Sequence, residues 1–388
     1  MGMVLLRKAS ALLMFPTNKQ FRSALSGRGK TVFMNDQTRL RDGALPHGLM
    51  ATAAPAAEVE THVQGTGTSV YAALDLGTNN CRLLIACPRD DGFRVVDSFS
   101  RIIRLGEGIS TTGRISEAAI GRAIAALSIC RDKIRLRKAR RLRLIATEAC
   151  RSASNAERFR SRVVKETGIR LEVIDRETEA RLAVLGCSPL VDPNGRGAIL
   201  FDIGGGSTEL VRIERDPGYE NPRPRIKAWM SIPLGVVTLA EHFGGRDVTP
   251  ATYARMEQEV AMHVAPFAEA HGRDLSHMHL LGTSGTVTTL AGLHLNLARY
   301  DRRRIDGIWM DDADITAVAN RLLGMSYEER ASNTCISVER ADLVLAGCAI
   351  LDAIRRAFPL PRLRVADRGL REGMLVEMMR KDGMLRSW

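Results

Sequence analysis

At 388 residues, with 45% hydrophobic and 26% charged side chains, the chain has the length for two cored domains and the composition of an ordinary globular protein. No apolar run reaches the ~18 residues of a membrane helix, and seven cysteines (81, 87, 130, 150, 187, 335 and 348) without a Cys-x-x-Cys pair read as reduced, mostly buried thiols of a cytoplasmic protein. The net charge of +12 favours an anionic partner, while five tyrosines and three tryptophans leave little for base stacking and weigh against nucleic acid.

Residues 1–69 hold eight basic and four acidic side chains and no lasting hydrophobic period, so they read as a disordered extension. Met1–Met14 is faintly like a targeting peptide, but Lys8 interrupts its apolar part and no small-residue cleavage site follows. A start codon assigned too far upstream explains the segment equally well.

From Val70 onward strands alternate with helices. Val70–Leu74 is a strand that turns through Asp75-Leu76-Gly77-Thr78-Asn79-Asn80 and returns as Cys81–Ala86. Ser116-Glu117 opens an amphipathic helix with Ile120, Ile124, Leu127 and Ile134 on one side. Its end merges into the densest basic run: Arg131, Lys133, Arg135, Arg137, Lys138, Arg140, Arg141 and Arg143. That run is either a solvated helix end with its exit loop or an electrostatic guide for a polyanion. Leu142–Ala146 is a short strand ending at Thr147-Glu148-Ala149-Cys150-Arg151, and Ser154-Asn155-Ala156-Glu157 reads as a capping box for a helix that stops at Gly168. A strand over Leu171–Ile174 and a helix over Glu177–Cys187 follow. Cys187-Ser188-Pro189 and Asp192-Pro193-Asn194-Gly195 supply breakers that divide the chain into domains 70–190 and 191–388, with the last helix free to pack back on the first.

The second half opens with the strand Ala198–Phe201, the turn Asp202-Ile203-Gly204-Gly205-Gly206-Ser207-Thr208-Glu209 and the strand Leu210–Ile213. A strand over Ile226–Ile232, a helix from Val236 and a long helix over Pro250–His271 come next. His277 and His279 alternate in a strand and face one side, as a packed or surface pair. Leu280-Leu281 ends in the turn Gly282-Thr283-Ser284-Gly285-Thr286, which feeds a helix. A helix over Val338–Arg356, a strand over Leu363–Val365 and a last helix from Leu370 complete a mixed α/β pattern.

Two aspartate-led glycine turns, their aspartates 127 residues apart, suggest two related half-domains facing each other. Turns without bulky side chains leave backbone N–H groups free to converge on an anion, so a phosphate chain between the halves would be gripped from both sides.

With the third loop, these stretches resemble the exopolyphosphatase/guanosine pentaphosphate phosphatase family, of the actin–hexokinase–Hsp70 superfold. The resemblance rests on Ala73–Asn79, Ala146–Arg151, Glu177-Thr178-Glu179-Ala180-Arg181, Phe201–Leu210, Ile232-Pro233-Leu234-Gly235, Gly282–Thr286 and Gly369-Leu370-Arg371-Glu372-Gly373. They occur in family order across roughly residues 70–380. The resemblance implies an α/β fold of two related actin-like (ribonuclease H-like) domains, each a mixed sheet with flanking helices, and an active-site cleft between them.

It also assigns roles. Glu179 matches the family's catalytic glutamate; Glu177, two residues away on another helix face, is the weaker candidate. Asp75 and Asp202 fall where the superfold places carboxylates near Mg²⁺ or Mn²⁺, and Glu209 is a further candidate carboxylate. Arg151 matches an arginine expected to fork a substrate phosphate. Gly77, Thr78, Asn79, Gly204, Gly205, Gly206, Ser207, Gly282, Thr283, Ser284, Gly285 and Thr286 would supply amide and hydroxyl donors. Two departures stand out: Asn80, where a small Ser or Thr is expected, and Ala366-Asp367-Arg368, where a serine is frequent. The chain resembles the short form without the extra helical region of long members.

The implied activity is release of terminal phosphate from inorganic polyphosphate. Guanosine pentaphosphate, a stringent-response nucleotide, is the near alternative; the absence of an evident aromatic clamp for guanine weakly favours polyphosphate. A sugar kinase or ATPase of the superfold and a non-catalytic polyanion binder are the other readings. Neither nucleic acid nor membrane is an expected partner, and a homodimer is compatible with the family.

Overall fold

The computed structural model describes residues 69–90, 92–215 and 224–385. Residues 1–68 of the expected N-terminal extension lie outside the described residues.

Two mixed sheets organise the chain. In the first, β1 (Tyr71–Leu76), β2 (Asn80–Arg89) and β3 (Gly92–Ile102) form an antiparallel meander, and β4 (Arg141–Ala146) and β5 (Glu172–Val173) add in parallel on the other side of β1. The second sheet repeats this order. Strands β6 (Gly197–Ile203), β7 (Thr208–Glu214) and β8 (Arg225–Ile232) form the meander, and β9 (Met278–Thr283) lies parallel to β6. Beyond β9 come β11 (Arg362–Ala366) and a short antiparallel edge strand, β10 (Trp309–Asp311). The orders β3-β2-β1-β4-β5 and β8-β7-β6-β9-β11 correspond, with β10 as an addition to the second.

β1 and β6 are apolar up to the aspartate near the end of each because helices cover both of their faces. In β1, Ala72, Leu74 and Leu76 face a core that includes Ile120, Ala123 and Leu127 of the helix Glu117–Leu136. Tyr71 and Ala73 face the opposite core, with Met374, Leu375 and Met379 of the helix Leu370–Lys381. The last helix therefore packs on the first sheet.

The helix Arg176–Cys187 lies between the sheets: Leu182 joins the core of the first, and Ala180, Ala183 and Val184 join that of the second. It crosses the last helix at two glycines. A Cβ on Gly373 would stand 2.0 Å from the Leu182 carbonyl oxygen, and one on Gly186 would stand 2.0 Å from that of Gly369. Only glycine permits that approach.

Three local expectations are corrected. Asn155 does not cap its helix through its side chain; it brackets Ile115, accepting from the backbone N–H at 2.8 Å and donating to the carbonyl at 2.9 Å, while Ser154 donates to Gly113 O. The helix expected over Val338–Arg356 is a 3₁₀ turn, Val338–Arg340, followed by a helix over Val344–Ala357. Buried Arg330 takes the Ala341 carbonyl, at 3.2 Å from Nε, which a continuous helix would need for itself. His277 has φ 59° and precedes β9, so it does not share a strand face with His279. His279 accepts from Asp192 N–H at Nε2, which leaves the proton on Nδ1 for the Leu280 carbonyl, and its ring meets Trp309 edge-on.

Candidate active site

The strand order aligns the two glycine hairpins at the same ends of their sheets. In each, the first glycine closes the turn by donating across it: Gly77 N–H to Asn80 O and Gly204 N–H to Ser207 O, both at 2.9 Å. The hairpins meet face to face. A Cβ on Gly205 would stand 2.9 Å from Thr78 Cβ, and one on Gly206 would stand 3.0 Å from Thr78 Oγ1. The N–H groups of Thr78, Asn79, Gly205 and Gly206 donate to no protein acceptor among the described residues, which leaves them available to an anion.

A cleft of 740 Å³ opens between the hairpins. Its lining includes Gly77, Thr78, Asn79, Gly204, Gly205, Gly206, Ser207, Thr283, Ser284, Gly285 and Thr286, with Asp75, Glu179, Asp202 and Glu209. Ser284 caps the helix Gly285–His294 by accepting from Val287 N–H, so the first N–H groups of that helix remain at the cleft. Gly282 is placed differently. It stands behind the loop, where a Cβ would come within 2.6 Å of the Phe201 ring, so its lack of a side chain serves packing.

The carboxylates are placed by short-range geometry. Asp175 caps its helix by accepting from Thr178 N–H at 2.7 Å, and one turn later Glu179 lies on the buried face. Glu177 is exposed and does not line the cleft. Glu209 is opposite Asp202 across β6 and β7 and receives hydrogen bonds from Ser207 and Ser231, each 2.9 Å to Oε1. Burial, then the charge of Glu209, pushes Glu179 up to about 8 against the pull of Arg151. Burial, followed by a neighbouring carboxylate (Glu179 for Asp202, Asp202 for Glu209), raises Asp202 and Glu209 to about 7. Asp75 is also raised, chiefly by burial, with Arg82 and Arg371 opposing. Four carboxylates that feel one another in a buried site form a strong demand for positive charge.

Arg151 does not meet the expectation of a phosphate fork. Its Nε and Nη2 donate to Glu148 Oε2 and its Nη1 to Ile174 O, and it does not line the cleft. Nη1 also pairs with Glu179 Oε2 at 2.7 Å, so the guanidinium joins Glu148, Ile174 and Glu179. Glu148, held from its other side by Arg176, fixes Arg151 against Glu179.

The cations of the cleft are others, which the sequence reading missed. Arg82 stands opposite Asp75 across β1 and β2, and Arg340 ends the 3₁₀ turn with its Nη1 close to Gly285. Neither guanidinium has an ion pair or hydrogen bond among the described residues. Burial and then the like charge of Arg82 lower Arg340. Arg371, 3.9 Å from Glu372, and Arg101, over the Phe99 ring, complete the cationic wall. No sequence signal marked Arg340, because the helix break at 341–343 appears only in the structure. The Oδ1 atoms of Asn79 and Asn80 are buried without partners. Tyr300 also lines the cleft, 43% exposed, and donates to Asp367, the departure residue before Gly369.

Among the described residues no group of three or more His, Cys, Asp or Glu side chains is arranged as a metal cage. The donors facing the cleft are carboxylate oxygens, which suit a hard divalent ion completed by substrate and water.

A family model described as the Ppx/GppA phosphatase family matches residues 84–382. The chain is 29% identical over 330 residues to exopolyphosphatase 2 of Mycobacterium tuberculosis, covering 79% of this chain and 98% of that one. It is 28% identical to a guanosine-5'-triphosphate,3'-diphosphate pyrophosphatase of Photobacterium profundum, covering 80% of this chain and 60% of the relative. The crystal structure of the Aquifex aeolicus member of the Ppx/GppA family superposes with a TM-score of 0.67 at 32% identity, over 81% of this chain and 98% of that one.

Proposed function

The chain belongs to the Ppx/GppA phosphatase family, and from that premise we propose that it is a phosphoanhydride hydrolase releasing terminal phosphate from inorganic polyphosphate. The observation that carries the reading is one cleft in which mutually repelling carboxylates face two arginines, Arg82 and Arg340, that make no ion pair or hydrogen bond among the described residues. Exopolyphosphatase 2, matched over nearly its whole length, supports polyphosphate as the substrate.

Phosphoryl transfer to water requires an in-line water, a group to orient it and positive potential around the departing oxygens. Glu179 orients the water through its carboxylate and accepts its proton; Arg151, ion-paired to Oε2, and Glu148 hold the carboxylate still. The free N–H groups of both hairpins and of the helix after Ser284 bind the terminal phosphate. Arg82, Arg340 and Arg371 bind the phosphates behind it. Asp75 and Asp202 would hold Mg²⁺ or Mn²⁺, which when bound supplies charge against the phosphoryl oxygens. The reading includes a cytoplasmic enzyme, supported by seven free cysteines, six of them buried.

A specific observation favours a second reading. The exposed ring of Tyr300 offers a stacking surface that suits the guanine of guanosine pentaphosphate.

Phosphate release by the purified chain, with Mg²⁺ and no ATP, tests both. Polyphosphate turned over at least tenfold faster than guanosine pentaphosphate supports the first reading. The reverse order, together with a KM for the nucleotide raised by Tyr300→Ala, would replace it with the second. No release from either sinks both.

A further inference from the structure

The basic run before β4 is outside the proposed active site, and the structure divides it in two. Lys133 and Arg137 pair with Asp97, and Arg141 pairs with Asp382; these charges are spent within the protein. The remainder turns the other way. A separate groove of 720 Å³ is lined by Arg131, Arg135, Lys138, Arg140, Arg143 and Arg170 over a floor of Ile134, Leu142 and Leu144. Arg131 pairs with Asp132, and Arg143 pairs with Glu172 and Glu377. Arg135, Lys138, Arg140 and Arg170 are exposed and have no side-chain partner among the described residues.

Six cations and one carboxylate, Glu172, thus line one concavity. Repulsion of that size in a groove is offset by an anion that makes several contacts at once. No aromatic side chain lines it, so it lacks the stacking platform with which proteins hold single-stranded nucleic acid. A chain of bare phosphates fits both facts.

The groove lies where β4 begins, whereas Glu148 enters the cleft just after β4 ends. Six residues of strand separate them by about 20 Å. We infer that this groove is a second polyanion site, which holds a stretch of long polyphosphate remote from the end being hydrolysed. A ligand held at two points dissociates more slowly than one held at a single point, so the groove raises affinity for long chains alone. Tripolyphosphate is too short to reach both sites.

The identity of the ligand rests on the proposed hydrolase reading; the groove's affinity does not, and the experiment separates them. In the full chain, Arg135→Ala, Lys138→Ala, Arg140→Ala and Arg170→Ala are combined, all at exposed positions. KM for long polyphosphate is expected to rise at least tenfold, with KM for tripolyphosphate unchanged within twofold. Binding of fluorescently labelled long polyphosphate, read by anisotropy without turnover, is expected to weaken in parallel. Replacing the same four residues by Lys and Arg in exchanged positions should keep the long-chain affinity. An unchanged ratio of long-chain to short-chain KM, with unchanged anisotropy, overturns the proposal. So does single-stranded RNA that competes for the groove as well as polyphosphate at equal phosphate concentration. If wild-type protein releases phosphate from neither chain, the hydrolase reading fails, and the anisotropy comparison still decides the groove.

Discussion

The two glycine hairpins share a backbone and differ in charge at one register position. Each places an aspartate at the end of its first strand, closes the turn with the same glycine-to-carbonyl hydrogen bond, and brings a residue of the return strand opposite the aspartate. In the first hairpin that residue is Arg82; in the second it is Glu209. Opposed residues of an antiparallel pair stand on one face, so all four side chains enter the cleft. The first hairpin contributes a cation beside its aspartate, and the second concentrates negative charge. Repetition supplied the scaffold, and a single position in each copy gives the two hairpins opposite charge; on the proposed function, that separates phosphate binding from the handling of metal and water.

That division makes graded expectations. Glu209→Gln should lower kcat by about 10²-fold with little change in KM, the scale for loss of a group acting in the transition state. Arg82→Ala, at the matching position, should do the opposite. Loss of one charge-assisted phosphate contact should raise KM about tenfold with kcat within threefold. Steady-state kinetics on tripolyphosphate measures both, and equal kcat losses from the two variants would break the comparison.

The topology was legible because the apolar runs of β1, β6 and β9 are bounded by glycine turns. Most of the residues that line the cleft were legible because they lie on those turns and on a motif-bearing helix. Less visible were features fixed by long-range packing. Strand β3 mixes polar and apolar residues without a strict alternation at a half-exposed edge, and β10 has only three residues. The break that frees Arg340 depends on Arg330, whose guanidinium bonds to carbonyls of Arg246, Met325 and Ala341. Arg151 illustrates the reverse: its motif was plain in the sequence, yet whether a guanidinium faces ligand or a neighbouring carboxylate depends on Glu148 and Ile174 in three dimensions.

Asp202→Asn sharpens the second hairpin's side of the comparison. Because Asp202 is raised to about 7, its ionisation costs stability progressively as pH rises from the unfolded value, ~3.9, to about 7, and the penalty is complete at pH 8. Removing that charge should therefore raise the metal-free Tm at pH 8, by roughly 1 °C in a chain this size for each kcal/mol of penalty relieved. The same change should increase the Mg²⁺ needed for half-maximal activity several-fold. A Tm that falls, with an unaltered Mg²⁺ requirement, would remove Asp202 from the carboxylate cluster.

The smallest effect lies outside both hairpins. His279 is held below its usual range, first by burial, and accepts a hydrogen bond as the neutral ring. Its contribution to stability is present above the unfolded value, ~6.5, and is lost as pH falls through the depressed folded value. His279→Gln should flatten the decline of Tm between pH 7 and 5 by about 1–3 °C in thermal scans. An undiminished slope would assign the decline to other groups.

The central claim is that Glu179, in the cleft between the hairpins, activates the water that cleaves a phosphoanhydride. Glu179→Gln keeps size and hydrogen bonding while removing the base. Phosphate release from polyphosphate with Mg²⁺, measured beside calorimetric binding of the same substrate, should show kcat reduced at least ~10²-fold with Kd within threefold. A variant that turns over at the wild-type rate would contradict the account.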